Sequence, residues 1–413
     1  MKVLWLSHLV PYPPAGGALQ RAYNLLRHAC RTHEVHLVAL NQPRLLAKEG
    51  IVEAADALST MCASVHVFPL PAERSHGHRL LCAARSVASG APFDAVWLRS
   101  ARLERHLSEL RNGRRFDLVH VDTVGLWPFV ESWRRQPIIL GHHNVESDLA
   151  ARRAFGERRR WRAGLLRRDA IKLRTLEHSA ARAATVNIVV SDLDARRLSG
   201  IAPNAAIEVI SNGVDAAYWR PRPDAAIEGR IVFAGTLSWF PNRDAISFLL
   251  DEIWPALRST DRHRSLLLVG RNPPAMAVAA ARDPCVQVTG FVSDARPYIA
   301  SASICVSPVR VGGGTRLKIL DALAMAKPVV ATQLAVEGLD LVEGVHYLRA
   351  DSAPEFVAQV RRLEDDPVLR TALGDAGREL VAGRFDWRVI GSRLDAAFEH
   401  AVSSHRTAQW KPA

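Results

Sequence analysis

Short apolar runs rich in β-branched residues recur along this chain, separated by stretches whose apolar positions repeat every three to four residues. In the first half the runs are Lys2–Leu6, Glu34–Leu40, Val65–Leu70, Leu118–Val121, Pro137–Gly141 and Asn187–Ser191. In the second half they are Ile207–Ile210, Ile231–Gly235, Ser265–Gly270, Val286–Thr289, Ile304–Val306, Val329–Thr332 and His346–Arg349. Between them the helical period predicts helices such as Gly17–Ala29, Arg102–Arg111, Asp244–Leu257 and Pro354–Leu363. Strands that alternate with helices form parallel sheets covered on both faces. Two such sets predict an α/β protein of two doubly wound, Rossmann-like domains, 1–200 and 201–384. A last helix in 385–413 is expected to return to the first domain. Asn212-Gly-Val-Asp215, with Pro221 and Pro223 behind it, reads as the turn-rich connection. Ligands of such sheets lie at the carboxyl ends of the strands, here expected in the cleft between the domains.

One stretch carries the most chemistry. Val306 to Thr332 reads as a strand, a triple-glycine turn, a helix start and a second strand. Gly312, Gly313 and Gly314 permit positive φ and a close backbone approach to a ligand. Thr315 is suited to cap the helix, so that the free amides of its first turn, through Arg316, face an anion such as a diphosphate. Lys318 falls in that first turn, where a cation does little for the helix and much for an anion. Asp321 follows at i+3 on the same face. Thr315 to Asp321 spans ~9 Å of helix, about the reach from a diphosphate to a ribose.

Other motifs are weaker alone. Gly16-Gly17 follows the first strand and opens a helix carrying Gln20 and Arg21, a second place for bare amides. His142-His143-Asn144 follows the strand Pro137–Gly141, where an imidazole can reach a sugar hydroxyl, and Glu146 and Asp148 behind it suit a helix cap. Asp192-Leu-Asp194 directly follows Val190-Ser191 and is better explained by capping than by a metal; His76-Gly-His78 lacks further ligands nearby. No GxxxxGK[ST] occurs, and no strand is followed by GxGxxG, so P-loop and oxidoreductase readings lack their main support.

Composition narrows the partners. The chain has 413 residues, 48% of them hydrophobic, with a net charge of +12 and an isoelectric point near 10.1. Large cores are affordable, disorder is not indicated, and an anionic partner is expected. Ala151–Arg182 concentrates eleven Arg and Lys against Glu157, Asp169 and Glu177, interleaved with Trp161, Leu165, Leu166, Ile171 and Leu173. That pattern suits an amphipathic basic helix on an anionic membrane surface, or the solvated face of an ordinary helix. Nucleic acid is not expected, since no binding module accompanies the charge. No apolar window is long enough to span a bilayer, and Met1–Leu6 is too short for a signal segment. Five scattered cysteines without a CxxC fit reduced residues of a cytoplasmic protein.

Taken together these residues resemble the retaining GT-B glycosyltransferases, specifically glycosyltransferase family four. The resemblance rests on the first strand with Gly16-Gly17, His143-Asn144, Val190-Ser191, Ser211-Asn-Gly-Val-Asp215, Phe233-Ala-Gly235, Leu268-Val-Gly270, Thr289-Gly-Phe-Val292 and the glycine motif ending Lys327-Pro-Val-Val330. It implies transfer from a nucleoside diphosphate sugar, with retained configuration and without a bound metal or other cofactor, to a glycan, lipid-linked or other hydroxyl acceptor. It implies Gly17, Gly313, Gly314 and Thr315 at the diphosphate with Lys318 as counter-charge, and His143 at the donor sugar. Gly290, Phe291 and Val292 would frame the base, and Asp321 would hold the ribose. Two departures stand out. Gly313 replaces the first Glu of the family's Glu-x7-Glu, and Thr236 replaces the usual Arg after the first carboxy-domain strand, with Arg243 as a substitute charge. Competing functions are a non-catalytic nucleotide-sugar-binding or scaffold protein and a GT-B-like epimerase. A cytoplasmic enzyme, peripheral at the inner face of a membrane, is the expected setting.

Overall fold

The computed structural model describes residues 1–413 apart from 15, 43–45, 48–49, 74, 114, 134, 260–262, 313 and 410–413, and apart from the side chains of 408 and 409. The chain forms two compact units. Unit 1 is Met1–Ser211 together with Ile390–Ala413, and unit 2 is Asn212–Val389.

Unit 1 contains β1 (Lys2–Ser7), β2 (Glu34–Asn41), β3 (Ser64–Pro69), β4 (Leu118–Val121), β5 (Ile138–Gly141), β6 (Val186–Val189) and β7 (Ile207–Val209). They pair in the order β3-β2-β1-β4-β5-β6-β7, every pair parallel. Helices on both faces bury the central strands completely, so β4, β5 and β6 read as unbroken apolar runs rather than alternating ones. β7 belongs to this sheet and not to the second set of strands where its place in the sequence suggested. It pairs with β6 in register Asn187↔Ile207, and the unit boundary falls after it.

Unit 2 contains β8 (Arg230–Ala234), β9 (Ser265–Val269), β10 (Val286–Val288), β11 (Ile304–Ser307), β12 (Val329–Ala331) and β13 (Leu348–Arg349). Their order is β10-β9-β8-β11-β12-β13, again all parallel. Its core gathers Phe233, Leu266, Leu268, Ile304, Leu320, Val330 and Phe356, all fully buried. Gly270 ends β9 at φ +147, where a Cβ would lie 1.7 Å from the Gly235 carbonyl oxygen at the end of β8. Only glycine fits there, because the two strand ends touch through backbone.

The last helix, Trp387–Gln409, lays its Ile390-onward part in unit 1. Asp395 accepts from His28 at 2.9 Å, and Phe398 stacks on His33 with ring centroids 5.5 Å apart. The basic segment is two helices, Glu146–Gly156 and Arg160–Ala183, interrupted at Glu157–Arg159, and not one continuous amphipathic helix. Leu173, expected on the exposed apolar side, is buried with Ala150 and Ala170, whereas Phe155, Trp161, Leu165 and Ile171 are exposed. Among the described residues no helix is long and apolar enough to cross a membrane.

Candidate functional site

Each sheet reverses its strand order at one point, and each reversal collects polar side chains at the carboxyl ends of its strands. In unit 1 the reversal lies between β1 and β4. His8 follows β1, Asp122 follows β4, and His142-His143 follow β5. The Asp122 carboxylate sits between two imidazoles, with Oδ2 2.8 Å from His8 Nδ1 and Oδ1 3.1 Å from His143 Nε2. Ser7 Oγ donates to Oδ2 at 3.2 Å. Burial alone would push this acid up, but His143 and His8 hold it well below the usual carboxylate range. The two histidines of the pair diverge. His142 turns inward to Asn187 at 3.1 Å, and burial drops it to about 4, so it stays neutral; half-buried His143 faces Asp122. His120 is a core ring packed on Trp5 with centroids 3.8 Å apart, pulled to about 3 by burial.

Gly16 takes φ 113 at the N-cap of the helix Gly17–Thr32, without a side-chain cap. Arg21 in that helix donates to the Ser211 carbonyl at 2.9 Å, and burial draws its guanidinium down to about 10. Glu146 and Asp148 do not cap their helix, whose N-cap is Val145 with no side-chain bond. Asp148 pairs instead with Arg152 at 2.9 Å, and half-buried Glu146 accepts from Asn144 at 3.4 Å. Burial and neighbouring Asp94 raise Glu146 to about 7. Asp194 serves its helix: Ser191 Oγ accepts from its backbone amide and donates to its carboxylate at 2.6 Å.

In unit 2 the reversal lies between β8 and β11. Gly312 and Gly314 take φ 106 and 75, while Gly313 lies outside the described residues. The helix begins at Leu317, one residue later than a Thr315 cap requires, and its N-cap Arg316 makes no side-chain cap bond. The Thr315 hydroxyl is engaged by the Asn212 side-chain amide instead. Arg316 folds back to the Gly314 carbonyl at 3.0 Å.

Lys318 still falls in the first turn. Its ammonium donates to Asn242 Oδ1 at 2.7 Å and lies 4.0 Å from the centroid of Phe233. Among the described residues no carboxylate pairs with it. Burial, and then Arg316, press it well below the ordinary lysine value, since nothing anionic offsets the desolvation. Asp321 on the same helix is half-buried, receives no side-chain hydrogen bond among the described residues, and is raised by burial to about 8. Asn242 is fixed by donating to the Thr236 carbonyl at 2.8 Å, and a Cβ on Gly235 would stand 3.0 Å from its amide nitrogen. Arg243, its neighbour, is exposed and is not brought to Lys318. Gly290 takes φ 68, Phe291 is 72% exposed, and Val292 packs on the core.

The structure thus brings together Lys318 with Asn242 and His143 with Asp122 and His8. Asn242, Asp122 and His8 are the residues that sequence reasoning passed over. Asp122 and His8 had a usable signal, since each is the first or second polar residue past the carboxyl end of a predicted strand. Asn242 had none beyond its place in the run Ser238–Arg243.

Residues 15–218 match the family model for Glycosyltransferase Family 4, and residues 228–366 match that for Glycosyl transferases group 1. The chain belongs to this glycosyltransferase family, and its two parallel-sheet units are those of the GT-B fold. It is similar to glycogen synthase of Mycobacterium tuberculosis, 27% identical over 224 residues, which are 50% of this chain and 51% of that protein. It is also similar to a GDP-mannose-dependent monoacylated alpha-(1-6)-phosphatidylinositol monomannoside mannosyltransferase of Corynebacterium glutamicum, 31% identical over 115 residues, 23% of this chain and 27% of that one. The chain therefore matches about half the length, or less, of these relatives. Among solved structures, sucrose-phosphate synthase from Thermosynechococcus elongatus superposes with a TM-score of 0.71 at 17% identity, covering 98% of this chain and 100% of that one. Anabaena HepE in complex with UDP-glucose superposes with 0.65 at 16% identity, covering 97% and 99%.

Proposed function

We propose that this protein transfers a sugar from a nucleoside diphosphate sugar to a hydroxyl acceptor with retention of configuration. The observation that carries the reading is Lys318: a cation held at a strand-order reversal, beside a glycine turn, with an amide and an aromatic face as its neighbours and no counter-anion among the described residues. A diphosphate supplies the missing charge. Asp321 then meets the ribose hydroxyls, which supply the donors its carboxylate lacks, and the backbone around Gly290 to Val292 frames the base. The backbone of Gly312, Gly314 and Thr315 lies along the phosphates. In unit 1, His143 contacts the donor sugar and Asp122 fixes its ring.

The chemistry on this reading is electrostatic. Lys318 and backbone amides stabilise the diphosphate as it leaves, while the acceptor oxygen attacks on the same face of the sugar. A metal is not required, because the cationic charge is built into the chain. The acceptor is a glycan or a lipid-linked sugar at the inner face of a membrane. The exposed Phe155, Trp161, Leu165 and Ile171, set among the arginines of 151–182, suit an anionic surface. The test is a thermal-shift and isothermal titration panel of nucleoside diphosphates and their sugars, run on wild type and Lys318→Ala, followed by assay of transfer with the donor that binds. No response to any nucleotide would refute the reading.

A further inference from the structure

We propose that His8, Asp122 and His143 form a binding site for a divalent transition metal of the zinc type, and that its occupant inhibits the enzyme. Nδ1 of His8, a carboxylate oxygen of Asp122 and Nε2 of His143 all lie within 4.8 Å of one another. The three residues follow the carboxyl ends of three different parallel strands of unit 1, so the sheet fixes their spacing rather than a loose loop. Two imidazoles and one carboxylate form a nitrogen and oxygen set that zinc accepts, and three protein ligands leave a fourth position for water or an anion. His8 Nδ1 lies 2.8 Å from Oδ2 and His143 Nε2 3.1 Å from Oδ1, whereas neighbouring ligands of a tetrahedral ion with bonds near 2.0 Å stand roughly 3.3 Å apart, so the carboxylate turns to offer one oxygen to an ion shared with both rings. Small side-chain adjustments therefore suffice. Ser7, hydrogen-bonded to Asp122 at 3.2 Å, supplies the outer support that keeps a ligating carboxylate in place.

Zinc and the hydrogen-bond network compete for the same atoms. Each imidazole nitrogen that donates to Asp122 must present a lone pair to the ion, so its proton moves to the other ring nitrogen or leaves to solvent. Magnesium and calcium, which prefer oxygen shells, have little use for this set. The inhibitory consequence rests on the role of His143 given above. An ion replaces the Asp122 hydrogen bond that orients that imidazole with a metal bond and adds positive charge beside it, which changes the ring's contact with the donor sugar.

The experiment uses tag-free full chain stripped with EDTA. Zinc is titrated calorimetrically into wild type and His8→Gln, and cobalt is titrated into wild type with its absorption spectrum as a second readout. His8→Gln is expected to bind one zinc fewer per chain than wild type, or to bind it at least as weakly as loss of an outer-shell partner would make it, roughly 10–100-fold, and neither protein should respond to magnesium. Cobalt should give ligand-field bands of a nitrogen and oxygen set, whereas thiolate charge transfer would place the ion on cysteine and overturn the site without recourse to any variant. Equal zinc titrations of wild type and a folded His8→Gln would also overturn it. Zinc binding that requires His8 but leaves transfer unaffected would overturn the inhibition and, with it, the placement of His143 at the sugar, while the metal site itself stood. Zinc binding is read without donor or acceptor, so its failure is distinct from failure of the transferase reading.

Discussion

Lys318 and Asp321 sit one turn apart with opposite charges, yet they are not paired, and both are displaced toward neutrality by burial. Each is expected to recover its charge when the nucleotide arrives. Lys318→Ala should abolish most of the thermal stabilisation by nucleoside diphosphate, a loss of roughly 1.5–3 kcal/mol for one charge-assisted bond; calorimetry on both proteins measures it. Asp321 also gives a pH signature. Its folded value of about 8 stands above the ordinary 3.8, so the folded state holds a proton that the unfolded state has released. Stability due to this group is therefore present below pH 3.8 and falls as pH rises toward 8. Without nucleotide, the melting temperature of Asp321→Asn relative to wild type should rise across that window and level off above it. A flat difference would mean that the carboxylate is better solvated than its position indicates. His143→Ala should lower turnover far more than nucleotide affinity, since Asp122 orients the ring in unit 1 while the phosphate ligands belong to unit 2. Comparison of kcat with nucleotide Kd separates the two.

At the level of elements, the periodicity of the chain revealed nearly every strand, because parallel strands buried on both faces are written as short unbroken apolar runs. It could not say which sheet an edge strand joins. Ile207–Val209 lies beside β6 because the chain turns back after Ile201, a tertiary fact with no local signature. The glycine turn was legible for the same reason that it works, since positive φ at Gly312 and Gly314 requires residues without a Cβ. The helix start was misjudged, because Thr315 looks like a cap in isolation and its hydroxyl is engaged by Asn212, a hundred residues away in sequence. The lysine's partner was missed likewise: Arg243 was expected as a substitute charge and is exposed, whereas the residue beside it, Asn242, accepts from Lys318. The break at Glu157–Arg159 carries its own consequence. It leaves Phe155 and Trp161 exposed near the ends of two helices, 91% and 62% accessible, among Arg158, Arg159, Arg160 and Arg162. Sedimentation with anionic vesicles should fall as salt rises, and fall at all salt levels when those four arginines become Gln, each contributing about 1 kcal/mol near the surface. Phe155→Ser with Trp161→Ser should weaken the salt-resistant part.

For the whole molecule, the return of the last helix to unit 1 matters more than its position in the sequence suggests. Phe398 is fully buried among Trp5, His33 and His120. Phe398→Ala should cost about 3–5 kcal/mol, the usual penalty for emptying a core aromatic site, and chemical denaturation followed by tryptophan fluorescence would measure it. The effect should appear in the transition of unit 1, with nucleotide binding to unit 2 retained. The same feature sets an order of events during synthesis. Unit 2 is complete once Val389 has been made, whereas unit 1 must wait for Ile390 and the residues after it. Between Ser211 and Phe398, at roughly 5–20 residues per second, about 10–40 s pass in which the nascent first sheet keeps an uncovered apolar face. The half of the protein made first is thus the half that finishes folding second, and through that interval it is a natural client for a chaperone.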